Sequence, residues 1–111
     1  MNIENTQTQM RKGILEYCIL AIISRKEIYA SDILAELRKS NLLVVEGTLY
    51  PLLTRLKNNG LLTYAWVESL TGPPRKYYAL SEKGLESLNM LNKTWQELSF
   101  AVHVATQNIS M

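Results

Sequence analysis

Gly47, Pro51, Thr54 and Asn58 recur at intervals of four, three and four residues, the spacing that gathers side chains on one face of a helix. On a wheel of 100° per residue, Leu52, Leu53 and Leu56 fall within about 60° of Leu49 on the opposite side. Tyr50 and Arg55 flank the polar face, Lys57 lies nearer its edge, and Thr48 belongs to the same candidate set. The chemistry this face offers is hydrogen bonding. Thr54 and Asn58 suit base edges, Tyr50 suits a phosphate or a base, and Arg55 suits either. A small polar face with few acids fits the major groove of DNA. An ordinary solvated helix face has the same composition, and this helix alone does not separate the two.

A second feature is Arg75-Lys76, directly after Gly72-Pro73-Pro74. Two adjacent cations at the base of a hairpin suit phosphates across a minor groove. From Arg38 to Lys76 there are six basic residues (Arg38, Lys39, Arg55, Lys57, Arg75, Lys76) and two acidic ones (Glu46, Glu68). That segment carries +4 in a chain of net charge +2, so the remainder sums to −2. The middle of the chain is the candidate anion-facing surface.

Catalysis finds no support. There is no glycine-rich phosphate loop, no H-E-x-x-H, no G-x-S-x-G and no acid pair in a plausible cleft. The single cysteine, Cys18, excludes an intrachain disulfide and a multi-cysteine zinc site. It sits in the apolar run Ile14–Ile23, where a buried, unreactive thiol is expected. His103 is alone, without ligands at metal spacing, and no metal or cofactor is expected. The apolar run is too short to cross a bilayer, and Met1 to Gln9 lacks an apolar signal segment. A cytoplasmic protein with no membrane partner is expected.

These residues need elements to hold them. The 111 residues allow one small domain and one long extra element, and 47% apolar composition is globular. The pattern predicts an arm over 1–9 and a first helix from Thr8 to Arg25, apolar on nearly every side. A second helix is expected over Ala30–Lys39, capped by Ser31 or a neighbour, and a third over Glu46–Asn59, stopped by Gly60. Pro51 falls inside the third helix, where its missing N–H loses a bond; a start near Thr48 would remove the anomaly. Leu62 to Glu68 alternates, with Leu62, Tyr64 and Trp66 on one side, and Arg75–Leu80 is a second strand. Ser81 caps a final helix running to about Gln107. The order helix–helix–helix–hairpin defines a mainly α winged helix-turn-helix over 10–80, with a long dimerisation helix over 81–111.

Glu46-Gly47-Thr48-Leu49-Tyr50-Pro51-Leu52-Leu53-Thr54-Arg55-Leu56, followed by Gly60-Leu61-Leu62, resembles the signature of PadR-type transcriptional regulators. Gly72 to Gly84 is similar to their wing and the start of their last helix, and the likeness extends upstream to Gly13-Ile14-Leu15-Glu16 and Ile28-Tyr29. It covers roughly residues 10–85. The resemblance implies a cytoplasmic, dimeric repressor of the smaller subfamily, released by a small-molecule or stress signal. It implies a third helix in the major groove of a palindromic double-stranded operator and a basic wing at the phosphates. Val45 departs from the Ser or Thr common among such sequences, and Ala30-Ser31 from a Gly followed by a larger residue. These departures bear on the helix start and the operator, not on the charged face. A ligand-sensing or protein-interaction dimer with weak DNA affinity is the alternative.

Leu88, Leu91, Trp95, Leu98, Val102, Ala105 and Ile109 are spaced 3, 4, 3, 4, 3, 4, a coiled-coil-like seam. The stripe outruns a small domain, so Ile14, Cys18, Leu88, Leu91, Trp95, Leu98, Val102 and Ala105 are the expected homodimer residues. Trp95 has two readings. It is a packing anchor, or, by the resemblance, one side of a site for flat hydrophobic compounds between two last helices. Ile14, Tyr17, Met90 and Phe100 would line such a site.

Overall fold

The computed structural model describes residues 6, 9–11 and 13–109. The expected arm over 1–9 lies mostly outside them, as does Thr8. The expected first helix is broken. Residues 9–11 are helical, but Gly13 adopts a positive φ of +93°, and regular helix resumes only at α1, Leu15–Ser24. A backbone in that region is accessible to glycine at no steric cost, so the glycine ends one helical piece and redirects the chain into the next.

Six further elements follow: β1 Ile28–Tyr29, α2 Ala30–Lys39, α3 Glu46–Asn58, β2 Leu62–Val67, β3 Arg75–Leu80 and α4 Glu82–Ala105. The hairpin of β2 and β3 was expected; β1 was not. It adds an antiparallel edge, giving the sheet order β1-β3-β2. Tyr29 precedes α2 as its N-cap with no side-chain cap bond, so Ser31 does not cap that helix. Asp32 in the first turn and Arg38-Lys39 in the last match the helix dipole instead.

Two helices end in the same way. After α2, Leu42 N–H donates to the Leu37 carbonyl at 2.8 Å and Asn41 N–H to that of Arg38 at 3.0 Å, with Asn41 at φ +63°. After α3, Leu61 N–H donates to the Leu56 carbonyl at 3.0 Å and Gly60 N–H to that of Lys57 at 2.9 Å, with Gly60 at φ +80°. Both are Schellman closures, which satisfy carbonyls left open at a helix end. In the second, Leu61 and Leu56 are both buried, so the closure turns the chain straight into β2.

The core gathers Ile19, Leu20, Ile22 and Ile23 of α1, Ile33, Leu34 and Leu37 of α2, Leu49, Leu53 and Leu56 of α3, and Leu61, Leu62 and Tyr78 beside them. All these side chains are largely or wholly removed from water, which supplies the main stabilising term. Leu52, expected in the stripe, is only half-buried.

α4 begins on the α3–β2 turn. Ser81 Oγ accepts from Gly84 N–H at 3.0 Å and its hydroxyl donates to the Gly60 carbonyl at 2.6 Å. Ser81 N–H donates to the Leu61 carbonyl at 3.1 Å, and Lys83 Nζ to that of Asn59 at 3.0 Å. Leu88 and Leu91 then pack against the core beside Leu15 and Cys18, and Tyr17 donates to Asn92 Oδ1 at 2.6 Å. Beyond Asn92 the apolar side chains of α4 are largely exposed, and the helix ends at Ala105 rather than near Gln107.

Candidate nucleic-acid interface

α3 turns one face inward and one outward. Leu49, Leu53 and Leu56 are fully buried, while Gly47, Tyr50, Pro51, Thr54 and Asn58 are exposed. The helix starts at Glu46, with Val45 as an N-cap that makes no side-chain bond. Pro51 therefore stands in the helix interior, and the later start near Thr48 does not occur. Pro51 has no N–H for the Gly47 carbonyl, so the exposed face carries a backbone acceptor as well as side chains. A Cβ added at Gly47 would meet nothing within 4 Å.

The two flanks of this face differ. Arg55 turns toward α1, where its Nη2 lies 3.3 Å from Glu16 Oε2. Thr48, Leu52 and Arg55 line one wall of a cavity of about 420 Å³, with Arg11, Leu15 and Glu16 opposite. Arg55 is thus a shared cation, paired at the side of the reading face. On the other flank, Tyr50 lies near Glu46, Tyr29 and Tyr78, and partial desolvation with these neighbours raises its phenol above the ordinary range. Tyr50 stays a hydrogen-bond donor at neutral pH.

The wing carries its cations on opposite faces. Leu62, Tyr64 and Trp66 of β2 pair with Leu80, Tyr78 and Lys76 of β3. Lys76 shares the face of Tyr64 and Tyr78, with Nζ 4.0 Å and 5.4 Å from their ring centroids and 5.9 Å from that of Trp66. Arg75 lies on the other face, 4.9 Å over Tyr29, which in turn approaches Tyr77 at 5.9 Å. Adjacent in sequence, the two cations are separated by the strand's alternation, which sends neighbours to opposite faces. Lys57 of α3 reaches the same tyrosine as Lys76, its Nζ 5.0 Å from the Tyr64 centroid.

Sequence reasoning missed Tyr64, Trp66 and Glu16 as members of this region. The alternation of β2 placed Tyr64 and Trp66 on one side, but their cross-strand neighbours follow from the register. Glu16 reaches Arg55 across 39 residues, a pairing without local signal.

The residues expected to form a dimer divide in two. Cys18, Leu88 and Leu91 pack on their own chain's core, Ile14 is half-buried, and Trp95, Leu98, Val102 and Ala105 are exposed. Trp95, Tyr17 and Phe100 do not line the 420 Å³ cavity. Among the described residues no cluster of His, Cys, Asp or Glu is arranged to hold a metal ion, and no helix is long and apolar enough to cross a membrane.

Three helices, a three-stranded sheet and a protruding hairpin beside an exposed third helix define a winged helix-turn-helix protein. Residues 19–90 match the model of the transcriptional regulator PadR-like family, and the chain belongs to that family. It is 55% identical to a PadR-like transcription factor from Bacteroides fragilis, covering 92% of this chain and 99% of that one, with a TM-score of 0.77. A PadR-like transcriptional regulator from Bacillus cereus is 40% identical over 91% of this chain and 99% of its own, with a TM-score of 0.83. Bacillus subtilis PadR, solved with operator DNA, is 23% identical and covers 71% of this chain and 46% of its own, with a TM-score of 0.65. At that identity the likeness speaks for the fold alone. The protein is a transcriptional regulator of the PadR type, and this family and its structural neighbours are regulators rather than enzymes.

Proposed function

We propose that this regulator is a cytoplasmic, dimeric, sequence-specific repressor that inserts α3 into the major groove of a palindromic double-stranded operator. One observation carries the reading. α3 buries Leu49, Leu53 and Leu56 completely while it leaves Gly47, Tyr50, Pro51, Thr54 and Asn58 open to solvent, with Lys57 and Lys76 at the wing-side edge. Thr48 and Arg55 extend the contact on the α1 side, and Arg75 serves the outer face of the wing. The operator complex of the Bacillus subtilis relative adds support by analogy.

Fluorescence anisotropy on a palindromic duplex selected from random sequence tests it. The wild type should bind with an affinity that falls steeply with salt. Tyr50→Ala and Thr54→Ala should weaken specific more than non-specific binding, whereas Lys76→Ala should weaken both. Equal loss from all three, or binding indifferent to salt, overturns the assignment of roles.

The dimer reading rests on the exposed end of α4, where Trp95, Leu98, Val102 and Ala105 continue the stripe begun by Leu88 and Leu91. In this reading Ile14 and Cys18 border the seam. A monomer in analytical ultracentrifugation at micromolar concentration refutes it. A C2 pair also suits a palindrome, since each subunit meets one half-site.

Release by a small molecule forms part of the same reading. Trp95 is 38% exposed and Phe100 67%, so two copies would bring large aromatic surface together. Flat hydrophobic compounds should quench Trp95, with Ile14 and Tyr17 at the margin. The titration is run in a Trp66→Phe background, where Trp95 is the sole tryptophan, and absence of quenching there excludes the site.

A further inference from the structure

We propose that Tyr64 is a positioning residue that gathers Lys57 of the reading helix and Lys76 of the wing onto one stretch of DNA backbone. The inference rests on the DNA-binding reading above and deepens it. The two lysines come from different elements, α3 and β3, yet both ammonium groups sit over the same ring, at 5.0 and 4.0 Å from its centroid. A ring face attracts a cation electrostatically within about 6 Å. A lysine otherwise sweeps a wide volume on a four-carbon stem, so two such contacts fix the direction of both chains.

The fixing is local and asymmetric. Tyr64 is itself held, its ring 6.4 Å from that of buried Tyr78 and its backbone paired to Tyr78 across β2 and β3. Lys76 has two further rings within reach, Tyr78 and Trp66, whereas Tyr64 is the one ring within reach of Lys57 among the described residues. Arg75, the other wing cation, lies over Tyr29 on the opposite face and takes no part. Tyr64 thus joins the wing to the reading helix through two cations, an exposed Lys57 and a half-buried Lys76. An anionic backbone meets two ordered cations at the seam between the elements.

Two measurements test this. In the free protein, the ε-methylene protons of Lys57 and Lys76 should be shifted upfield by the ring current of Tyr64. The Lys57 shift should vanish in Tyr64→Leu, that of Lys76 should shrink, and both should persist in Tyr64→Phe. In duplex titrations across salt, Tyr64→Leu should bind about three- to tenfold more weakly at low salt. Its log–log salt slope should fall by about 0.9 to 1.8, one to two phosphate contacts. Tyr64→Phe should match wild type. Lys57→Met, which keeps the ring and removes one cation, should lower the slope by about 0.9; should Tyr64→Leu fail to fold, Tyr64→Ile, a β-branched strand former without a ring, supplies the decisive reading.

A wild-type slope in Tyr64→Leu, or in Lys57→Met, overturns the proposal while leaving the DNA-binding reading intact. Loss in Tyr64→Phe equal to that in Tyr64→Leu assigns the effect to the hydroxyl and also overturns it. Absence of salt-dependent duplex binding by the wild type itself defeats the reading and the proposal together.

Discussion

Gly84 is the position where a single methyl group should do most harm. It is the third residue of α4 and is buried against the turn that leaves α3. A Cβ there would run into the Leu61 carbonyl oxygen and lie 3.0 Å from the carbonyl carbon. Both are backbone atoms, in a turn already fixed by its Schellman closure, so neither can swing aside. The start of α4 must retreat instead. The capping bond from Gly84 to Ser81 lies within the helix and moves with it. The three bonds that cross the junction do not: Ser81 to Gly60, Ser81 to Leu61 and Lys83 to Asn59. At about 1 kcal/mol net for each, their loss costs about 3 kcal/mol. Alanine returns at most about 1 kcal/mol through helix propensity. Gly84→Ala should therefore destabilise by about 2 kcal/mol and lower Tm by roughly 8 °C, at about 4 °C per kcal/mol for a domain of this size. Thermal melts followed by circular dichroism at one fixed protein concentration measure it. A variant that melts at or above the wild-type temperature refutes the reasoning.

Gly47→Ala should behave oppositely. Nothing lies within 4 Å of its added Cβ, so stability should rise by up to about 1 kcal/mol, while duplex affinity drops because the methyl stands on the reading face; unchanged affinity in anisotropy would contradict this. Glu16→Gln removes the partner of Arg55 from a pair whose side chains are 58% and 33% exposed. Stability should change by no more than about 0.5 kcal/mol, and low-salt duplex affinity should increase as Arg55 becomes free; a decrease would show that the pair positions Arg55 productively. Burial raises the Cys18 thiol above its ordinary range. The folded state holds that proton more tightly than the unfolded one, so this contribution is complete below the ordinary thiol value and is lost as pH rises from there through the raised folded value. Native labelling by iodoacetamide should be slow and become fast on unfolding, and Cys18→Ala should flatten the alkaline loss of stability; rapid native labelling would count against the burial.

The reading helix was legible because three independent signals coincide on it. Leucine spacing sets its inner face, Gly60 sets its end, and small polar residues fill what is left. The wing hairpin was legible from alternation and from Gly72-Pro73-Pro74. β1 was not, because Ile28-Tyr29 is too short to show a period and is a strand only through its pairing with β3. The break at Gly13 was hidden by apolar residues that run on past it, since hydrophobicity reports burial and not φ. The separation of Arg75 from Lys76 was implicit in strand period; what was missing was the register that puts Lys76 beside Tyr64. The Glu16–Arg55 pair depends on how α1 crosses α3, which no local pattern encodes.

The length of α4 sets a scale for the paired molecule proposed above. Its 24 residues span about 36 Å at 1.5 Å per residue, and among the described residues the side-chain hydrogen bonds that tie it to the rest of the chain lie between Ser81 and Asn92. It is a lever with its fulcrum at the Ser81 cap. A tilt of about 5° there carries the far end through about 3 Å, close to the roughly 3.4 Å that each base pair advances along the DNA axis. Were two such levers to cross in the proposed pair, a rotation of that size would change the span between reading heads by about one base step. In that paired molecule, registration with an operator would depend on Ser81, Lys83 and Gly84 at the junction behind the C-terminal end of α3, as well as on the surface that touches DNA.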